Sequence, residues 1–334
     1  MTAALVFNAL AGQGSLLRGG ELELHRAMLA GGVTGANVTV ATGGGFAEAV
    51  RAIEYVTAAT ERAAEEGARI ARTVADLHQA AREGGAALVL GFQNATPLED
   101  RIEHVHAFHR LGLRVLQLTY QRRNLIADGC GEPADAGLSL FGRQVVEACN
   151  TAGILLDLSH VGPRATRETI DRSAHPVAFT HVNLRAVHDV PRNKSDEEIR
   201  ALAERGGVVG ICAVARLMLP GGGQTGATID NLVDQIDHVT QLVGVDHVGL
   251  GLDISEGMTR ESFEQRRAGF LTDYPELRLG GDFPFEHYYV TGLNTMANLP
   301  RVRERLAARG FSDEDAGKIL GGNFVRLLDA VWHG

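Results

Sequence analysis

The stretch Gly153–His160, GILLDLSH, and the stretch Pro176–Asn183, PVAFTHVN, decide the reading of this chain, because each is a short apolar run that reaches a histidine. Runs that are apolar at consecutive positions, rather than at alternate ones, are the pattern of strands buried on both faces, as parallel strands are. Imidazole contributes nothing to such a strand, so His160 and His181 at the ends of two successive runs point to chemistry, and to a metal in particular.

Working outward, the same kind of run recurs at Leu5–Asn8, Ala36–Val40, Ala87–Gln93, Arg114–Thr119, Ile154–Leu158, Val177–Thr180, Val208–Cys212 and His247–Leu252. Helical spacing of apolar positions fills the intervals, as in Ala47–Glu66, Arg101–Arg110, Gly142–Thr151, Ser195–Arg205 and Leu232–Val243. Thr73 is placed to cap a helix, and Gly112, Gly153, Gly206 and Gly244 stand where helices should stop. Eight buried strands alternating with helices predict an α/β fold, a (β/α)8 TIM barrel, over an open doubly wound sheet. The open sheet would call for a glycine-rich phosphate turn after the first strand, and NALAGQG does not match GxGxxG. Leu299–Gly334 reads as two further helices, Arg301–Ala308 and Glu314–Ala330, the second capped by Ser312. No linker divides the chain, so residues 1–334 are read as a single domain. Pro220–Thr228 and Met258–Gly281 read as irregular loops at the barrel mouth, where they could act as lids or specificity loops.

Composition narrows the function. The chain is 45% hydrophobic and 22% charged, as befits a large folded core. A net charge of −9 without a basic stripe disfavours nucleic-acid and membrane partners. MTAALVFNALAGQG lacks the features of a signal peptide, which gives a cytoplasmic expectation. Cys130, Cys149 and Cys212 are widely spaced and are expected to be reduced.

In a barrel the C-terminal ends of the strands form the active-site face. His160 lies just past the fifth predicted strand, His181 just past the sixth and Asp253 just past the eighth, so the three should converge. Two neutral imidazoles and a carboxylate suit zinc or a similar divalent ion that keeps a water as remaining ligand. His25, His104, His106, His109 and His175 are read as solvated or partly packed, because helix faces point away from the mouth.

Along nearly its whole length the chain resembles the membrane dipeptidase (renal dipeptidase) family of amidohydrolase-type barrels. The resemblance rests on DLSH (Asp157–His160), THVN (Thr180–Asn183, where the family reads SHSN), PRNKSDE (Pro191–Glu197), GGVVGI (Gly206–Ile211), DHVGLGLD (Asp246–Asp253) and KILGGNFVR (Lys318–Arg326), in that order. It implies a two-zinc barrel that hydrolyses small dipeptides, often as a homodimer. It also implies that His160 and His181 are ligands of one metal, that Asp253 takes the proton of the attacking water, and that Arg192 with Asn193 holds the substrate carboxylate. Asn183, Tyr120 and Gln93 join the expected substrate-binding set.

Three segments depart from the family pattern. Phe7, Asn8 and Ala9 stand where the first strand should carry an HxD pair of ligands, Gln93 in GFQN stands for the bridging glutamate, and Tyr120 in LTYQ replaces a substrate-facing histidine. An amide lacks the charge that holds two dications together. The expectation is therefore a dipeptidase-like hydrolase of a small carboxylate-bearing substrate that uses one divalent metal, zinc, instead of two. The alternatives are metal-free or non-hydrolytic catalysis (a lyase, dehydratase or isomerase), with Asp253 as base and His160 or His181 as acid, and a binding protein without chemistry.

Overall fold

The computed structural model describes residues 5–12, 23–274 and 283–332. Its strands are β1 (Phe7–Ala11), β2 (Gly35–Ala41), β3 (Ala68–Ile70), β4 (Ala86–Phe92), β5 (Leu113–Gln117), β6 (Leu155–Asp157), β7 (Ala178–Val182), β8 (Val208–Ile211) and β9 (Val248–Leu250). Eight of them pair in parallel in the order β1-β2-β4-β5-β6-β7-β8-β9, and the short β3 pairs with β4 beside this path. The chain after β9 returns to β1 through Asp253 N to Leu10 O at 3.0 Å and Gly12 N to Ile254 O at 2.9 Å. These bonds bring the last strand back to the first, giving a (β/α)8 barrel. All eight expected strands are present, and β3 is the one the sequence reading lacked; at three residues it is too short to show a pattern.

The helices are α1 (Glu23–Ala30), α2 (Phe46–Arg62), α3 (Val74–Glu83), α4 (Glu103–Arg110), α5 (Leu140–Ala152), α6 (Pro163–Arg172), α7 (Asp196–Glu204), α8 (Ala215–Met218), α9 (Gly222–Thr225), α10 (Ile229–Val243), α11 (Arg260–Asp273), α12 (Pro300–Ala308), α13 (Asp313–Gly317) and α14 (Asn323–Val331). Local chemistry sets their ends. Thr73 and Ser195 close reciprocal capping boxes with Asp76 and Glu198, Ser312 accepts from Asp315 N, and Gly153 ends α5 at a φ of 70°.

A helix over Arg260–Asp273 corrects the expectation that Met258–Gly281 is irregular; residues 275–281 lie outside the described ones. Thr259 starts it by exchanging hydrogen bonds with Ser262, and RESFEQRRAGFLTD offers no apolar stripe by which to read it. Pro220–Thr228 likewise contains the short α9.

The C-terminal helix closes the far end of the barrel. Phe7, Ala9, Val89, Val115, Leu155 and Val208 form one apolar cluster with Phe324, Leu327, Leu328 and Val331 of α14. The rings of Phe7 and Phe324 lie 6.2 Å apart, so Phe7 belongs to the plug and not to the mouth. β1 reaches the mouth with Leu10, Ala11 and Gly12, and no His or Asp occurs between Leu5 and Gly12. The comparison of Phe7 and Ala9 with metal-ligand positions is thus shifted along the strand, while the absence of ligand types in it stands.

Candidate active site at the barrel mouth

His160 and His181 come together through a hydrogen-bonded strand-end scaffold. Asp157, buried at the end of β6, accepts from Ser159 N (3.0 Å), Ser159 Oγ (2.6 Å), Thr180 N (3.0 Å) and Thr180 Oγ1 (2.6 Å). Ser159 Oγ accepts in turn from His181 N at 3.1 Å. The DLS and TH segments are thereby locked side by side, and their imidazole Nε2 atoms stand 2.9 Å apart.

Counting protons shows what that pair requires. Thr180 Oγ1 donates to Asp157, so at 2.8 Å from His181 Nδ1 it accepts, which places the His181 proton on Nδ1 and leaves a lone pair on Nε2. Arg192 Nη2 lies 3.1 Å from His160 Nε2 and can only donate, so that nitrogen is also a lone pair. Burial, followed by the Arg192 charge, pushes both imidazoles well below the usual histidine range and keeps them neutral. Two lone pairs facing each other at this distance repel unless a cation lies against them.

The cavity in front of His160 is lined by Tyr120, Arg192, Arg216, Asp253, Phe263, Arg266 and Tyr288, among others. Tyr120 stacks on His160 with ring centroids 4.5 Å apart, and burial raises its hydroxyl to about 12. The Arg192 guanidinium is buried and fixed by Ser159 O and His181 O, both at 2.7 Å. Asp253 adopts a φ of 54°, a left-handed backbone that a non-glycine residue holds only where its surroundings impose it. Gly251, two residues earlier, lies against β7: a Cβ there would fall 1.6 Å from Thr180 O. Burial raises the Asp253 carboxyl, while Arg266, Arg192 and Arg216 oppose that shift.

Of the residues expected from the sequence, His160, Arg192, Tyr120 and Asp253 line this cavity, and His181 stands directly behind His160. Asn183, Asn193 and Gln93 are outside it. Asn183 Nδ2 bonds Cys212 O and Gln235 Oε1, Asn193 Nδ2 ties His188 O to Leu217 O, and Gln93 Nε2 donates to Thr39 Oγ1 at 2.7 Å. Their amides pin the framework that carries the site, and none of the three is among the residues that line this cavity. The sequence reading missed Arg216 and Arg266. Arg216 lies four residues past the strand-end Cys212, a position the strand-end rule could have flagged; Arg266 is on α11 and carried no signal. His25 is fully buried, with Nε2 3.0 Å from Glu66 O, where partial packing was expected.

A parallel barrel whose mouth gathers two histidines, an aspartate and several arginines has the layout of the amidohydrolase-type enzymes. The chain belongs to the membrane dipeptidase family, peptidase family M19, whose model matches residues 20–267. It is 30% identical over 258 residues to dipeptidase tcpJ of Claviceps purpurea, covering 77% of this chain and 53% of that protein. The chain spans about half the length of such curated relatives. It also resembles an amidohydrolase from Pseudomonas aeruginosa, at 34% identity and a TM-score of 0.85 over 98% of this chain and 97% of that one. A metallopeptidase from Rhodobacter sphaeroides, solved with a phosphinate mimic of L-Ala-D-Ala, shares the fold at 21% identity and a TM-score of 0.79, over 99% of this chain and 100% of that one.

The family implies a divalent metal. The donor set fits one ion, since two nitrogens each about 2.0–2.1 Å from a tetrahedral zinc would be about 3.3 Å apart, close to the 2.9 Å between the two Nε2 atoms. Among the described residues no three His, Cys, Asp or Glu side chains gather as a metal site. Among the described residues, no helix is long and apolar enough to cross a membrane.

Proposed function

We propose that this protein is a hydrolase of dipeptide-like amides, acting on a small substrate that carries a carboxylate and using one divalent ion held by His160 and His181. The facing Nε2 lone pairs carry this reading, because the Asp157–Thr180 relay orients one of them as the groups behind a metal ligand do. Such an ion would polarise the scissile carbonyl and ease deprotonation of water. Arg192 lines the cavity with a fixed, buried guanidinium, suited to meet the substrate carboxylate and orient the amide. Asp253 takes the proton from the attacking water as the new C–O bond forms. It returns that proton to the amide nitrogen as the C–N bond breaks. Tyr120, held protonated by burial, can donate to the developing oxyanion.

One observation favours a metal-free variant of this reading: Arg192 Nη2 already puts a cationic donor 3.1 Å from His160 Nε2. Elemental analysis of chelator-free protein decides between the two. The metal reading requires about one divalent ion per chain and cleavage of some member of a dipeptide and N-acyl amino acid panel. Metal content near zero with turnover intact supports the variant, and no cleavage of any member with metal bound rejects hydrolysis.

A further inference from the structure

We infer that Gln121 binds the substrate directly, its side-chain Nε2 donating a hydrogen bond to a carbonyl or carboxylate oxygen. This deepens the hydrolase reading and rests on it for the identity of the ligand, though not for the direction of the donor. Gln121 follows Tyr120 on the wall of the cavity and is only 2% exposed. Its Oε1 lies 3.2 Å from Cys130 Sγ, and burial raises the Cys130 thiol, which keeps its proton and donates. That contact fixes the sense of the amide. Among the described residues Nε2 has no hydrogen-bond partner, yet it keeps accessible surface, unlike sealed orphan atoms such as His160 Nδ1. In a side chain this buried, the surface that remains opens on the cavity.

The backbone holds this amide in place. Gln121 has a φ of 65°, a left-handed conformation that a non-glycine residue keeps only where its contacts hold it. Gly131 N donates to Gln121 O at 2.7 Å, and a Cβ at Gly129 would fall 2.4 Å from Gln121 C and O, so residues 129–131 lie directly on it. The same segment reaches the histidine pair, because Cys130 N donates to His160 O at 2.8 Å. One short stretch of chain therefore sets the Gln121 amide and the proposed metal ligand relative to each other. An apolar side chain of similar length would serve for packing. A donor that is oriented by a thiol and by the backbone, and left without an acceptor inside the protein, is instead arranged for an acceptor that arrives with a ligand.

The test compares Gln121→Met and Gln121→Glu with the unaltered full chain, zinc present. Methionine has a similar length but no donor; glutamate also lacks the donor yet keeps an oxygen for the Cys130 thiol. Calorimetric binding of a phosphinate mimic of L-Ala-D-Ala, which has no amide to hydrolyse, should weaken about tenfold in both variants, as the loss of one hydrogen bond to an anionic oxygen predicts. Zinc content and the denaturant midpoint of the glutamate variant should stay unchanged. On a cleaved dipeptide the loss should fall on KM, with kcat within about threefold. Binding by Gln121→Glu equal to that of the unaltered protein overturns the inference and assigns Gln121 to holding Cys130; if Gln121→Met does not fold, this comparison still decides. A loss confined to kcat, with affinity for the mimic intact, overturns it as well. Weakened binding in both variants, without hydrolysis of any dipeptide or N-acyl amino acid, retains the Gln121 contact and rejects the hydrolase reading.

Discussion

Around the barrel mouth, β1, β2, β4 and β5 lead into alanine, threonine and amides, whereas β6 to β9 and the segments after them supply His160, His181, Arg192, Arg216 and Asp253. The polar groups of the first half bind one another. Asn37 Nδ2 donates to Ala9 O at 2.9 Å, Thr39 Oγ1 to Ala11 O at 3.2 Å, Gln93 Nε2 to Thr39 Oγ1, Gln117 Nε2 to Gln93 O and Thr119 O, and Leu252 N to Asn8 Oδ1 at 2.8 Å. These bonds stitch the neighbouring strands of this half to one another. In the second half the lone pairs of His160 and His181 face each other and the Asp253 carboxylate faces the cavity. Apart from Tyr120 and Gln121, which follow β5 and line the cavity, the described polar groups of the first half serve as framework, and the second half supplies the histidines and the charged groups at the cavity.

The largest effects should fall on the charged half. His181→Ala or His160→Ala should abolish metal binding and lower hydrolysis by on the order of a thousandfold, read by elemental analysis and steady-state kinetics. Two ions per chain in the unaltered protein would break the comparison outright. Arg192→Ala should lower kcat/KM by about a hundredfold or more, since it removes charge-assisted bonds worth about 1.5–3 kcal/mol each.

Next in size is a stability effect behind the charged half. Lys194 Nζ is buried and meets Glu198 Oε1 at 3.0 Å, and Glu198→Gln should cost about 3 kcal/mol in denaturant unfolding, because it leaves the ammonium without a counter-charge. Lys194 and the Ser195 backbone hold Glu198 below its ordinary value of 4.5 against the opposing, and largest, effect of burial. With the folded value the lower one, its contribution is fully present above 4.5 and is lost as pH falls through the folded value.

Gln93→Ala belongs to the amide half. It should lower stability by about 1–2 kcal/mol through the bond to Thr39 while changing kcat/KM less than about threefold. A loss of activity comparable to that of Arg192→Ala would place Gln93 with the substrate after all. The smallest signal is in pH dependence. Because burial raises Asp253, the acid limb of kcat/KM should lie above 3.8, as read from a pH–rate profile.

The eight strands, the capped helices and the strand-end pair His160 and His181 were legible because each is a local pattern. Apolar runs, Thr and Ser caps and terminal glycines specify an element from the residues within it. Asn183, Asn193 and Gln93 were legible as polar residues near strand ends, yet a sequence does not show which way an amide's donors turn, and here they turn to backbone carbonyls and to the side chains of Gln235 and Thr39. α11 stayed hidden because a helix lying across the rim of a barrel need not carry an apolar stripe.

The sequence by itself therefore determined the barrel, the family and the two histidines, since periodicity and motif order are properties of the chain. Only the tertiary structure decided that Phe7 plugs the closed end, that the amide half is self-bonded, and that Arg216 and Arg266 line the same cavity as Arg192 and Asp253. Those facts depend on distances between segments brought together by barrel closure, and a cavity lining exists only once the groups that form it share the same space.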